Sequence, residues 1–157
     1  MGSKKRNASR FCKNKHAVIS GTVAPSDVPG LAGKDFVGFA QRSGKMWRCG
    51  RDESVTLSLG EGDWEIVSYA PVERGVAILG LADKFNSTAA VSEKKWRRDG
   101  SLTVRLRDGG NFLAWSERTP RRVIAGGRNV PFFYDAVTGR LSAKTPSTGR
   151  QEVILDW

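Results

Sequence analysis

Apolar and polar positions along this chain alternate in short runs broken by glycine and proline, and the longest stretch with little charge lies between Asp63 and Val91. Within it Trp64, Ile66, Val67, Tyr69 and Val72 are strand formers with bulk on both faces. After a break from Pro71 to Gly75, the run Val76-Ala-Ile-Leu-Gly-Leu81 continues in the same way. Apolar runs of this length, bounded by Gly and Pro, read as strands covered on both sides. Such strands need further sheets to cover them, and the remaining sequence supplies candidates.

Val18 to Val23 predicts a first strand, followed by a turn from Ala24 to Gly30. Phe36 to Gln41 and Lys45 to Arg48 form a short hairpin around Ser43-Gly44, and Val55 to Leu59 alternates cleanly before the turn Gly60-Glu-Gly62. Ala89 to Trp96 ends at Asp99-Gly100, a strong hairpin signal. Leu102, Val104 and Leu106 then share one face while Thr103, Arg105 and Arg107 share the other, the signature of a half-buried strand. Phe112 to Ser116, Arg122 to Ala125, Val130 to Tyr134, Leu141 to Ala143 and Val153 to Trp157 complete the series, with glycine turns between them. No long segment has helical spacing, apart from a turn at Ala82 to Asn86. The pattern predicts an all-β fold, an antiparallel β-sandwich of about 8–10 short strands, with a barrel as second choice.

Composition adds the domain plan. At 157 residues the chain is long enough for one domain with its own core. The net charge is +10, from 26 Lys and Arg against 16 Asp and Glu. Six of those cations, Lys4, Lys5, Arg6, Arg10, Lys13 and Lys15, precede residue 16 with no acid among them. Residues 1–16 are therefore expected to be a basic flexible tail, and residues 17–157 the sandwich, with a net charge of about +4 once the tail is removed. No apolar run reaches membrane-spanning length, and no apolar segment follows the N-terminal charges, so the expected location is cytoplasmic.

Candidate chemistry is sparse. Asp52 with Glu53, and Asp63 with Glu65, are the paired carboxylates a glycosidase would need, at about 5 Å across a sugar cleft in the retaining case. All lie beside turns, where solvated strand-end acids are common, so no catalytic residue is assigned. His16 is the single histidine, four residues after Cys12, and with a remote Cys49 it falls short of a zinc set. No metal or cofactor is expected. Among the five tryptophans, Trp47 and Trp96 have charged neighbours and are the candidates for stacking on a sugar ring. Lys94-Lys-Trp-Arg-Arg98 interleaves cations with an aromatic, as single-stranded nucleic-acid platforms do, but nothing continues the aromatic track.

Three blocks, in order, resemble the C-terminal domain of the raffinose synthase and seed imbibition protein family, the α-galactosidase-like glycosidases. They are Gly21-Thr-Val-Ala-Pro-Ser-Asp-Val-Pro-Gly-Leu31; then Tyr69-Ala-Pro-Val72 with Gly80-Leu81 and Phe85-Asn86-Ser87; then Ser116-Glu-Arg-Thr-Pro120 through Gly127, Val130-Pro-Phe-Phe-Tyr-Asp135, Thr138-Gly139 and Leu141 to Pro146. Thr88-Ala89-Ala90 stands where the family has paired glycines. The resemblance implies that the (β/α)-barrel and its two catalytic aspartates are missing from this chain. The expected function is then a non-catalytic accessory domain that packs against and stabilises that barrel, in a parent enzyme acting on raffinose-type α-galactosides by hydrolysis or galactosyl transfer. The expected partners are the barrel and, as ligands, α-galactoside sugars, with self-association through the face the barrel would cover. An independent carbohydrate-binding module is the alternative, and a basic nucleic-acid-binding β domain a further one.

Overall fold

The run Val76-Ala-Ile-Leu-Gly-Leu81 is buried at every position, and the rest of the architecture follows from how that is achieved. The computed structural model describes residues 18–146 and 149–157. Among them are fourteen short strands: β1 (Ile19–Val23), β2 (Asp35–Ala40), β3 (Met46–Gly50), β4 (Val55–Leu59), β5 (Val67–Pro71), β6 (Val76–Leu81), β7 (Val91–Trp96), β8 (Leu102–Leu106), β9 (Asn111–Ser116), β10 (Arg122–Ala125), β11 (Arg128–Val130), β12 (Phe132–Asp135), β13 (Arg140–Lys144) and β14 (Gln151–Asp156). The only helical elements described are the single 3-10 turns Pro25–Asp27 and Thr88–Ala90. The expected domain boundary and basic tail, with Cys12 and His16, lie outside the described residues.

Every strand pairing is antiparallel. A five-stranded sheet runs β11-β10-β14-β8-β7, a four-stranded sheet β12-β13-β9-β6, a three-stranded sheet β3-β2-β5, and β1 pairs with β4 as a two-stranded ribbon. The four-stranded sheet is the middle layer. Val76, Ile78 and Leu81 of β6, with Phe112 and Ala114 of β9, face Val104, Leu106, Val123, Val153 and Leu155 of the five-stranded sheet. The alternate residues, Ala77, Leu79, Leu113 and Trp115, face Val37, Phe39 and Ala70 of the three-stranded sheet. Period-two alternation, reset in β6 by an irregularity between Ile78 and Gly80, thus feeds two cores from one sheet. The all-β sandwich holds, extended by a third layer.

The three-stranded sheet buries a smaller cluster, Phe36, Cys49 and Tyr69, on its far side, with Leu31, Trp47 and Val67 packed against it. The ribbon is tied to this side by the Tyr69 hydroxyl, which donates to the Val23 carbonyl at 3.2 Å. Its register places Ile19, Gly21 and Val23 opposite Leu59, Leu57 and Val55, one apolar face, while Ser20 and Thr22 oppose Ser58 and Thr56 on the other.

Two expectations are corrected. The opening apolar stretch is not a strand from Trp64: β5 begins at Val67, and Trp64 and Ile66 are exposed. The segment Val130 to Tyr134 is not one strand either. Pro131, which has no N–H for a ladder bond, separates β11 from β12, and the two belong to different sheets. The described residues hold fourteen strands rather than about 8–10.

Candidate interaction surface

The residues that carry the three-block pattern hold turns and layers together. Gly80 has φ 89°, and a Cβ there would overlap the Ser87 carbonyl oxygen, because the segment after β6 folds back across the end of that strand. The Leu81 amide donates to that same carbonyl at 3.2 Å. Gly139, with φ 72°, lets the Trp115 indole lie against the turn and donate to the Thr138 carbonyl at 3.0 Å. The Tyr134 hydroxyl reaches the Ser116 carbonyl at 3.1 Å. Asp135 caps its own turn, accepting from the Val137 amide and the Thr138 hydroxyl, and these bonds hold its carboxyl below the usual range. Positive φ and close backbone approach explain the glycines; the polar residues are pins.

Three of the four paired acids, Asp63, Glu65 and Glu53, are occupied in the same way. Arg42 bonds Asp63 at 2.6 Å, and this, with the Gly60 amide, lowers the Asp63 carboxyl. Partial burial works against ionisation of Glu65, yet it accepts the Arg42 and Ser43 amides at 2.7 and 3.0 Å and stays below its ordinary range. Glu53 accepts the Gly50 amide at 3.0 Å. Asp63 and Glu65, held in their charged form by such bonds, are poor general acids. Cys49 is buried, and burial first, then the neighbouring Glu53, pushes its thiol up. No group of three or more metal-ligating side chains occurs among the described residues.

Trp47 and Trp96 are each half-buried. The Trp47 ring lies flat over Gly38, where a Cβ would collide with it, and meets Tyr69 edge-on at 6.0 Å. Its indole N–H is buried beside the Cys49 thiol. Trp96 packs against Trp157 at 5.7 Å, and the Arg74 guanidinium sits 5.2 Å from its ring. Two of the four cations around Trp96 are engaged too: Lys94 pairs with Glu73 at 2.9 Å, and Arg97 donates to the Thr103 hydroxyl at 2.8 Å.

The tryptophan at the surface is Trp64, which the charge-neighbour argument passed over although Asp63 and Glu65 flank it. It is 45% exposed, and it meets Phe85, 70% exposed, with ring centroids 5.8 Å apart. The two rings come from separate loops, each anchored. The Trp64 loop is held by the Asp63 and Glu65 contacts just described. The Phe85 loop is held by Asp83, which accepts the Asn111 amide at 3.0 Å, by Lys84 to Asp108 at 3.0 Å, and by the Gln41 side-chain amide, which donates to the Ala82 carbonyl at 3.0 Å. The result is a fixed aromatic ledge with a charged rim.

The family model described as raffinose synthase or seed imbibition protein Sip1 matches residues 2–145. The chain belongs to that family. Among proteins of the raffinose synthase family, it is 27% identical over 152 residues to the probable galactinol–sucrose galactosyltransferase 4 of Arabidopsis thaliana, covering 85% of this chain and 17% of that protein. It is 29% identical over 151 residues to the galactinol–sucrose galactosyltransferase of Oryza sativa subsp. japonica, covering 87% of this chain and 19% of that protein. It is 27% identical over 101 residues to the stachyose synthase of Pisum sativum, covering 61% of this chain and 12% of that protein. The chain therefore spans less than a fifth of the length of these raffinose synthase relatives. No helix among the described residues is long and apolar enough to cross a membrane.

Proposed function

We propose that this chain is a non-catalytic C-terminal β-sandwich domain of a raffinose-synthase-type enzyme, whose role is to pack against and stabilise a (β/α)8 catalytic barrel. One observation carries the reading: the chain aligns over most of its own length with galactosyltransferases, yet spans at most 19% of theirs. The geometry agrees with it, since the matched glycines and tyrosines serve turns and tertiary bonds, and Asp63, Glu65 and Glu53 of the acid pairs accept N–H donors. The reaction of the parent, galactosyl transfer in the named relatives, then belongs to the longer chain.

The test is an exchange. Replacing the matching 151-residue segment of the Oryza sativa enzyme by this chain should give a chimaera that unfolds in one cooperative transition above that of the free chain. Two transitions, one at the free chain's own midpoint, would end the proposal. The carbohydrate-binding alternative through Trp47 or Trp96 is separable on the free chain. A raffinose-dependent change in tryptophan emission, lost in Trp47→Phe or Trp96→Phe, is its requirement.

A further inference from the structure

Val18 and Ile19, at the start of the described residues, are 66% and 73% exposed. Ile19 lies opposite Leu59, the last residue of β4. The turn that follows closes between Gly60 and Asp63 and delivers Trp64 beside that strand end. Trp64 meets Phe85, and Ile66, also exposed, is fastened by its carbonyl to the Gln41 amide. Five exposed apolar side chains from three segments thus collect at one end of the molecule, where β1 begins. The other exposed large apolar residues among those described are Val28, after the first 3-10 turn, and Phe133 and Val137, both on the β12–β13 hairpin.

The opposite outer surface has a different character. On the five-stranded sheet Arg105 pairs with Glu93 at 2.6 Å and with Glu152 at 3.5 Å, and Arg122 pairs with Asp156 at 2.7 Å. That face is polar and paired, as a wetted sheet surface should be. The apolar end instead has the composition of an interface centre: aromatic and aliphatic anchors held by rigid loops, inside a rim made by Arg42, Asp63, Lys84 and Asp108.

We infer that Val18, Ile19, Trp64, Ile66 and Phe85 form the surface covered by the remaining chain of the parent enzyme. The occupant is identified by two facts: more than four-fifths of each named relative lies outside the matched segment, and the matched region continues through this end of the fold to residue 2. The inference rests on the accessory-domain reading above, and adds which face does the work.

The experiment uses the Oryza sativa chimaera and the free chain side by side. Trp64→Lys/Phe85→Lys is compared with Phe133→Lys/Val137→Lys, which makes the same exchange at two exposed apolar positions elsewhere. The ledge variant should lower the chimaera's midpoint by about 5 °C or more beyond the loss of the Trp64–Phe85 contact that the free chain also suffers, or split the chimaera's transition. The control variant should leave both unchanged. A ledge variant that leaves the chimaera unchanged, or weakens the free chain equally, overturns the inference while the accessory reading stands. A wild-type chimaera with two independent transitions removes both. Sedimentation of the free chain as a dimer that the ledge variant dissociates would assign the surface to a second copy, and raffinose binding lost in Trp64→Ala would assign it to a sugar; either result overturns the inference.

Discussion

Gly80 and Ser87 touch each other and should respond to mutation in opposite ways. At Gly80 a side chain would meet a positive φ and the Ser87 carbonyl at once, so Gly80→Ala should cost about 3 kcal/mol or more in urea unfolding. Ser87 is fully buried, and its hydroxyl has no hydrogen-bond partner. Removing a buried polar group that bonds nothing sheds a desolvation penalty. Ser87→Ala should therefore leave stability unchanged or raise it by about 1 kcal/mol, against the ordinary expectation for a buried substitution. A loss above about 1 kcal/mol would show that the hydroxyl has a partner. Single residues also mark what could be read beforehand. Gly80, Asn86 and Ser87 stand out as a pattern, yet the collision that requires the glycine comes from a fold-back of the chain that spacing alone does not encode. Trp64 sits in an apolar run that reads as buried; only its acidic neighbours distinguish it.

Among the elements, β6 was legible because an uncharged apolar run between Gly75 and Ala82 has few other solutions, and β8 because its alternation is clean. The crossing at Pro131 was obscured by the apolar residues on either side, although a proline inside a strand run is itself a warning. What no local pattern could supply is the pairing of distant segments, such as β1 with β4 across more than thirty residues of chain. That ribbon carries its own prediction, through Tyr69 and Val23. Burial, aided by Cys49 and Asp27, raises the Tyr69 phenol to about 12, against about 10 in an unfolded chain. The folded state thus keeps its proton when the unfolded state loses it, so stability is complete below pH 10 and falls between about 10 and 12. Urea midpoints measured across this range should fall, and Tyr69→Phe should flatten most of the fall, leaving the part due to the raised Cys49 thiol. Tyr69→Phe should also cost about 1 kcal/mol at neutral pH, the hydroxyl bond to Val23. An unaltered alkaline profile in the variant would remove Tyr69 as the cause.

In the molecule as a whole, the middle sheet binds two cores into one thermodynamic unit. Because β6 and β9 contribute alternate residues to each, neither core can melt without exposing the back of the sheet that supports the other. Calorimetry of the free chain should give a calorimetric enthalpy equal to the van't Hoff value; a clear excess would mean that the three-stranded layer with its ribbon unfolds separately. The same arrangement limits how β9 can change. One extra residue inserted between Phe112 and Trp115 would rotate the rest of the strand by half a turn and send an indole into the compartment shaped for an alanine. Extra residues are accordingly easier to place in the loops than inside β9, whose two faces must each keep their own interior filled.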